Sequence, residues 1–305
     1  MVFDRVYDCH SFLQAANEMG LTQPSVTKII HELEQFLDGP LFIRTNRGVV
    51  PTELGVLLGG RVKSIISELR FLTDELNAYR HGNTGHVIVG TLISAAARLL
   101  PKAIALLSKE HPGVYLTIRE GMTSTLFPAL AAGEVDIVVG RIPEQEVISS
   151  LQTSISHSVL FQEVFCPVVR VNHKLAAQNE IKVSELLEYD WILPPSGSPA
   201  RTAAEALFKD SGCSLPKHYI ESLSILTNIG LLMDTEMIAL LPRDATLQFS
   251  QAGLISALDL SANSPFGDVG YSVRADKELT PACERLIKCL MQASTDPACH
   301  HLDLQ

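Results

Sequence analysis

Apolar positions in this 305-residue chain follow three spacing regimes. Between His10 and Gly48 they recur every three to four residues in two short runs. Leu13, Ala16 and Met19 predict a short helix over Leu13 to Met19. Gly20 stops it, since glycine takes a left-handed conformation at no steric cost. After the turn Leu21-Thr22, Pro24 suits the first helical position. Val26, Ile29, Ile30, Leu33, Phe36 and Leu37 then form one apolar stripe. A second regime starts at Thr52, the expected N-cap of one helix reaching about Arg80. Leu58, Val62, Ile65, Leu69, Leu72, Leu76 and Tyr79 alternate spacings of four and three, which is a heptad seam. About 28 residues at ~1.5 Å each give roughly 40 Å of helix. Gly59-Gly60 weakens its start, and His81 to Gly85 reads as a hinge.

From His86 the pattern alternates between short apolar runs and amphipathic segments. Val87 to Thr91, Tyr115 to Arg119 and Asp136 to Gly140 predict strands; Ala95 to His111 and Leu126 to Ala132 predict helices. That βαβαβ order implies a parallel, doubly wound sheet. The style recurs with strands at Leu160 to Arg170, Trp191 to Leu193, Tyr219-Ile220 and Ile238 to Leu241. Helices are expected at Val183 to Glu188, Ala200 to Gly212 and Leu226 to Met233. Tyr271 to Arg274 and a helix over Ala282 to Ala293 return to the first lobe.

The polar positions carry the chemistry. Gln23, Pro24, Ser25, Thr27, Lys28 and His31 gather in the first two turns of the second short helix, opposite its apolar stripe. Two helices joined by a tight turn, with such groups opening the second, place a helix N-terminus in the major groove of DNA. Gln and Lys can address base edges, while Ser, Thr and the helix N-terminus can hold phosphates. Arg44, Thr45, Asn46 and Arg47 follow in a hairpin that would carry two arginines to the backbone or minor groove. A generic helix pair with a solvated face is the ordinary alternative, and the basic turn at this distance decides against it.

Composition limits how such binding works. The net charge is −10, and Met1 to Arg80 holds eight Lys/Arg against ten Asp/Glu, so affinity must come from a few placed cations and from dimerisation. Apolar residues make up 46% and charged ones 19%, which is a folded chain of two or more domains. Cys9, Cys166, Cys213, Cys283, Cys289 and Cys299 show no CxxC spacing, and with no export signal they read as reduced thiols in a cytoplasm. Cys299-His300-His301 reads as a polar tail; no metal or cofactor is expected. No apolar run reaches the ~20 residues of a membrane span.

Ala15-Ala16, Leu21 to Lys28, Leu33-Glu34, Leu41-Phe42, Arg44-Thr45, Arg47-Gly48 and Pro51-Thr52-Glu53-Leu54-Gly55 together resemble the winged helix-turn-helix of LysR-type transcriptional regulators. Two departures stand out. Met1 to Cys9 is a shorter run-in than the family's first helix usually has, and the family tends to have Gly at His10 and a plain loop at Asp38-Gly39-Pro40. The resemblance implies a winged helix-turn-helix over 1–55, a dimerising linker helix and hinge over 56–83, and a two-lobed effector domain over 84–305. That last domain is the periplasmic-binding-protein-like α/β fold, its second lobe at about 166–265. The seam residues Val62, Ile65, Leu69, Leu72 and Leu76 would join two copies, and pairs of dimers would form a tetramer on promoter DNA. RNA polymerase is a further implied partner. Trp191 to Pro195 with Arg201, and Val139-Gly140-Arg141, look like the branch that regulates sugar-binding-protein and aromatic-acid genes.

In open α/β sheets ligands sit beyond the carboxyl ends of the strands. Those ends carry Ser94, Thr123-Ser124 and Arg141 in the first lobe, and Ser196, Ser198, Arg201 and Thr202 in the second. Ser94 and Thr123 also match cleft-lining positions of the family. Short hydroxyls at helix N-termini are often only caps, and both roles can coexist. Two arginines among them favour a small organic acid over a sugar. Enzyme motifs are missing: GxSxG, GxGxxG, P-loop and HExxH are not found, and His31-Glu32 lacks its second His. The alternative to a DNA-reading regulator is a cytoplasmic small-solute-binding protein whose N-terminal helices serve only for association.

Overall fold

A computed structural model of the chain describes residues 1–46, 48–81, 84–144, 154–260 and 264–295. Helix α1 (Val2–Cys9) precedes the two expected helices, α2 (Phe12–Met19) and α3 (Gln23–Phe36). α1 ends at His10, which is left-handed at φ 52°. A glycine would adopt that angle freely, and His10 is held there by two backbone bonds. Its N–H reaches the Val6 carbonyl at 3.0 Å, and its own carbonyl accepts the Val49 N–H at 2.9 Å. The core of this unit is Phe3, Val6, Ala15, Ala16, Val26, Ile30, Leu41 and Val49. α2 enters it through its two alanines, so Leu13 is left exposed, and Phe36 at the end of the α3 stripe is 84% exposed. The Thr22 hydroxyl caps α3 by accepting the Ser25 N–H, which makes Gln23 the first helical residue and Pro24 the second.

Strands β1 (Phe42–Thr45) and β2 (Gly48–Pro51) form the antiparallel wing, with Thr45 opposite Gly48. α4 (Glu53–His81) follows at once, the Gly55 N–H bonding the Thr52 hydroxyl at 3.0 Å. Gly59 has a packing reason: a Cβ there would lie 2.7 Å from the Tyr7 ring. Leu58 and Val62 pack on the winged-helix core. The next turns of α4 are pinned to the first lobe by a polar face. Lys63 bridges Asp8 of α1 (3.0 Å) and Glu134 (2.7 Å), the Ser67 hydroxyl donates to the Gly133 carbonyl (2.8 Å), and Arg70 pairs with Asp136. Burial lowers the affinity of Lys63 for its proton, but the bonds to Glu134 and Asp8 outweigh it and hold the ammonium above its ordinary value. On the other side Ile65, Leu69, Leu72 and Leu76 are 60%, 60%, 50% and 51% exposed.

The first lobe contains β3 (Gly85–Thr91), α5 (Ile93–Ala96), α6 (Leu99–Glu110), β4 (Val114–Glu120), α7 (Thr123–Ala131) and β5 (Ile137–Arg141). Strand β3 runs parallel to both β4 and β5. The single helix expected over Ala95 to His111 is two helices. Pro101 has no N–H to continue a preceding helix but fits the first turn of a new one. The chain crosses on β6 (Ile155–Arg170) into the second lobe. That lobe holds β7 (Trp191–Leu193), α8 (Pro199–Asp210), β8 (Tyr219–Glu221), α9 (Ile225–Asp234), β9 (Ile238–Pro242), α10 (Arg243–Gln251) and β10 (Ile255–Ala257). Val183–Glu188 is a 3₁₀ segment rather than an α-helix. β11 (Ser264–Arg274) crosses back, and α11 (Pro281–Ser294) covers the first lobe.

Hydrogen bonding links the strands in the order β4-β3-β5-β11-β6-β9-β7-β8, with β10 beside β6. The three strands of the βαβαβ unit are parallel as expected, while the crossing strands β6 and β11 are antiparallel to each other and β11 to β5. These two strands join the lobes. Val87, Val89, Leu99, Leu107, Ile137 and Leu286 centre one core, and Trp191, Phe208, Leu186 and Leu240 the other. Among the described residues no helix is long and apolar enough to cross a membrane and no cluster of three metal-ligating side chains occurs. Gly82, Asn83 and the Cys299-His300-His301 tail lie outside the described residues.

Candidate DNA-reading face and effector cleft

The N-terminal turns of α3 present their polar side chains outward. Gln23, Pro24, Ser25, Lys28 and His31 are exposed and Thr27 is half-buried. No acidic residue occupies the first turn, so the positive end of the helix is not neutralised by its own side chains. Lys28 is 78% exposed and among the described residues reaches only Glu32, at 3.8 Å; this geometry leaves the ammonium available. The Ser25 hydroxyl shares a 2.8 Å bond with Thr22, and His31 meets Gln35 at 3.2 Å. A groove of about 150 Å³, lined by Thr27, His31, Glu34, Phe42 and Arg44, separates α3 from the wing. Arg44 lies over the Phe12 ring at 5.8 Å, and Asn46 is exposed at the hairpin tip. Arg47 lies outside the described residues.

Several motif residues turn out to position this face rather than form it. Glu34 Oε1 accepts the Leu41 N–H at 2.8 Å and the Phe42 N–H at 3.3 Å, which fixes the wing relative to α3. The Thr52 hydroxyl donates to the Pro40 carbonyl at 2.6 Å. At Gly55 an added Cβ would come within 2.2 Å of the Leu41 carbonyl oxygen, so only glycine lets α4 start there. The role of Glu34 was missed in the sequence.

The strand-end residues behave differently. Ser94 is 2% exposed, and its hydroxyl accepts the Arg141 N–H at 2.9 Å, tying α5 to the end of β5. Thr123 and Ser124 open α7, half-buried and exposed, but Thr125 caps that helix by accepting the Met122 N–H at 3.2 Å. The Arg141 guanidinium meets Glu144 at 3.4 Å. In the second lobe Ser198 is a cap: its hydroxyl donates to the Pro195 carbonyl (2.7 Å) and accepts the Arg201 N–H (3.1 Å). Thr202 returns a 3.4 Å bond to the Ser198 carbonyl, and Ser196 is exposed. Arg201 is committed to structure. Its side chain is 5% exposed and bonds Glu205 (2.9 Å), Glu221 (3.2 Å) and the Pro194 carbonyl (3.1 Å), with the Tyr219 ring 4.8 Å away. Ser94, Thr123 and Arg141 therefore gather at one end of the first lobe, while Arg201 is held within the second.

A winged helix on a long helix, followed by a two-lobed α/β domain with polar strand ends, defines a one-component regulator that reads DNA and senses a small molecule. The comparisons agree. Residues 1–56 match the model of the bacterial regulatory helix-turn-helix protein of the lysR family, and residues 80–295 match the LysR substrate binding domain. The transcriptional regulator GbpR of Rhizobium radiobacter is 30% identical over 232 residues, 75% of this chain and 76% of its own length. GbpR of Azospirillum brasilense is 27% identical over 282 residues, 92% and 81% of the two chains. Among solved structures, the LysR family regulator CbnR superposes with a TM-score of 0.68 at 18% identity, covering 97% of this chain and 98% of that one. A complex of full-length CbnR with its target DNA gives 0.67 at 18%, covering 96% and 97%. This chain belongs to the LysR family of transcriptional regulators: a DNA-binding helix-turn-helix joined to an effector-binding domain. GalR and PcaQ relatives match at 28% and 26% identity, so the branch suggested by Trp191 to Pro195 is not singled out.

Proposed function

We propose that this regulator works in the cytoplasm as a dimer of dimers on partly palindromic promoter DNA, and that a small effector in the lobe cleft changes the geometry of the assembly. RNA polymerase is the partner through which that change acts. The working division is a reading head over 1–55, a linker and hinge over 56–83 and a sensor over 84–305. The observation that carries the assembly is the two-sidedness of α4. Its polar face is pinned to the first lobe, while Ile65, Leu69, Leu72 and Leu76 form an exposed apolar seam. A stripe of that length left in water is a binding surface, and a second copy offers its own complement. The first copy then places one α3 in a half-site and the second places its twin a helical turn away.

For reading, Gln23 and Lys28 address bases, and Ser25, Thr27, His31, Arg44, Thr45, Asn46 and Arg47 hold the backbone. For the effector, Thr123, Ser124, Arg141 and Ser196 are the contacting groups, and Ser94 holds Arg141 in place from behind. Arg141 at the end of β5 favours a small organic acid, with a sugar or sugar acid second. Arg201, Ser198 and Thr202 are removed from the contacting set by their own bonds. Calorimetry of the full-length protein against carboxylate and neutral sugar panels tests this, repeated with Arg141→Ala and Thr123→Ala. Weakening of a carboxylate by both substitutions supports the assignment; a neutral sugar bound tightly by all three proteins overturns it.

A further inference from the structure

The junction between the lobes holds two buried carboxyl groups that neither DNA reading nor the effector cleft uses. Strand β6 belongs to both lobes, pairing with β11 in one and with β9 and β10 in the other. Glu163 stands midway along it at 1% exposure, with the Arg243 and Val164 backbone amides directed at its carboxyl group and no side-chain hydrogen-bond partner among the described residues. Asp244, in the first turn of α10, is 2% exposed, and one of its oxygens, Oδ2, is likewise unpartnered. The Asp244 carboxylate accepts the backbone N–H of Leu99, the first residue of α6. A second-lobe carboxylate thus holds the N-terminus of a first-lobe helix.

The surroundings decide how much charge this junction tolerates. Burial first, and then the charge of Asp244, push Glu163 up to about 8, against the Arg243 and Val164 amides and the Arg243 charge. Burial also raises Asp244, while Arg98 just before α6, Lys102 of α6 and Arg243 of α10 pull it down. Cys166, on the same strand, is pushed up to about 11 by burial and stays a thiol. From β11 the residue opposite Glu163 is Gly267, and the Arg141 guanidinium of β5 fills the space beside it. Three cations therefore face Asp244, whereas Glu163 sits deeper and is opposed by one cation, Arg243, and two backbone amides. One negative charge is accommodated and a second is not.

We propose that Glu163 and Asp244 form a proton-held latch between the lobes, in which a proton on Glu163 lets Asp244 keep α6 docked against α10, and opening of the junction hydrates Glu163 and releases that proton to solvent. Lobe opening and proton release are then one event. Closing would rebury Glu163 and take up a proton.

The sign follows from linkage. Open, Glu163 titrates near its ordinary value of 4.5; closed, it titrates at about 8. Between those values the closed form holds one more proton, so opening becomes easier as pH rises and levels off above about 8. Hydrogen exchange of the full-length protein, corrected for intrinsic rates, reads this at the amides of 97–103 and 242–248, with 85–91 as internal reference. The wild type should lose protection at the junction by about tenfold or more between pH 6 and pH 8. Glu163→Gln, which keeps the shape and cannot ionise, should show no such loss. Asp244→Asn supplies a second route: its amide oxygen still accepts the Leu99 N–H, and removal of its charge should shrink the pH dependence. An equal loss in the wild type and Glu163→Gln, or no loss in the wild type, overturns the latch.

Discussion

The N-terminal turns of α3 and the polar strand ends of the lobes carry the same kinds of residue in opposite states. On α3, Lys28 is 78% exposed, and its nearest acid is 3.8 Å away on the same helix. In the second lobe Arg201 is 5% exposed and has two acids and a carbonyl around its guanidinium. Among the described residues the Ser25 hydroxyl bonds only Thr22, whereas Ser94 ties two elements together at 2% exposure. A cation with satisfied partners is scaffold, because recruiting it to a ligand means breaking bonds already made. A cation standing off its helix with weak contacts keeps its binding capacity. The contrast sorts residues that composition alone treats as equal.

The strongest way to break the comparison is through assembly. Leu69→Asp puts a charge into the seam of α4, where a partner helix would bury it at several kcal/mol. Sedimentation should show a smaller species and promoter binding should fall by roughly two orders of magnitude, as one half-site binds too weakly. An unchanged oligomer would move the interface away from this face. Next in size is Arg201→Ala, which strands Glu205 and Glu221 at a site where both are partly solvated. A loss of about 1–3 kcal/mol of stability by thermal or urea unfolding is expected, with effector affinity unaltered. A fall in affinity with no loss of stability would return Arg201 to the cleft.

Lys28→Ala should lower affinity for the specific site by about 1–3 kcal/mol and leave stability unchanged. Glu34→Ala acts on the same face indirectly. Removing the acceptor of the Leu41 and Phe42 amides should cost about 1–2 kcal/mol of stability, and the loosened wing should weaken all duplexes alike. Competition binding against specific and scrambled duplexes separates these two effects. If Glu34→Ala instead changed which sequences bind, Glu34 would be a reader.

The reading head was legible because its signals are local. The Gly20 stop, the Leu21-Thr22 turn, Pro24 and the tip at Asn46 each act within four residues, and α2, α3 and the β1–β2 hairpin form where those signals place them. α1 was missed as a separate helix because its apolar contacts, Phe3 and Val6, are too few to set a period. α10 and β10 escaped for another reason. α10 starts directly at Pro242 with no turn residue, and it buries Asp244, Ala245 and Thr246 rather than an apolar stripe. In the cleft, the Glu205 partner of Arg201 was readable at i+4, but Glu221 is 20 residues away and meets Arg201 only because β8 pairs with β7. Spacing arguments reach one helix turn; commitment of a side chain across strands does not show in them.

The central claim is that the outward polar groups of α3 read sequence in a paired assembly. The most direct measurement is equilibrium binding of full-length wild type and Lys28→Ala to the DNA upstream of its own gene and to a scrambled duplex, over a range of salt. The wild type should prefer its own site by about 10³-fold or more, with affinity falling as salt rises. Lys28→Ala should lose most of the base discrimination at one position of each half-site while keeping a similar salt slope. Equal binding of the wild type to both duplexes, or a Lys28→Ala protein that discriminates as well as the wild type, would contradict it.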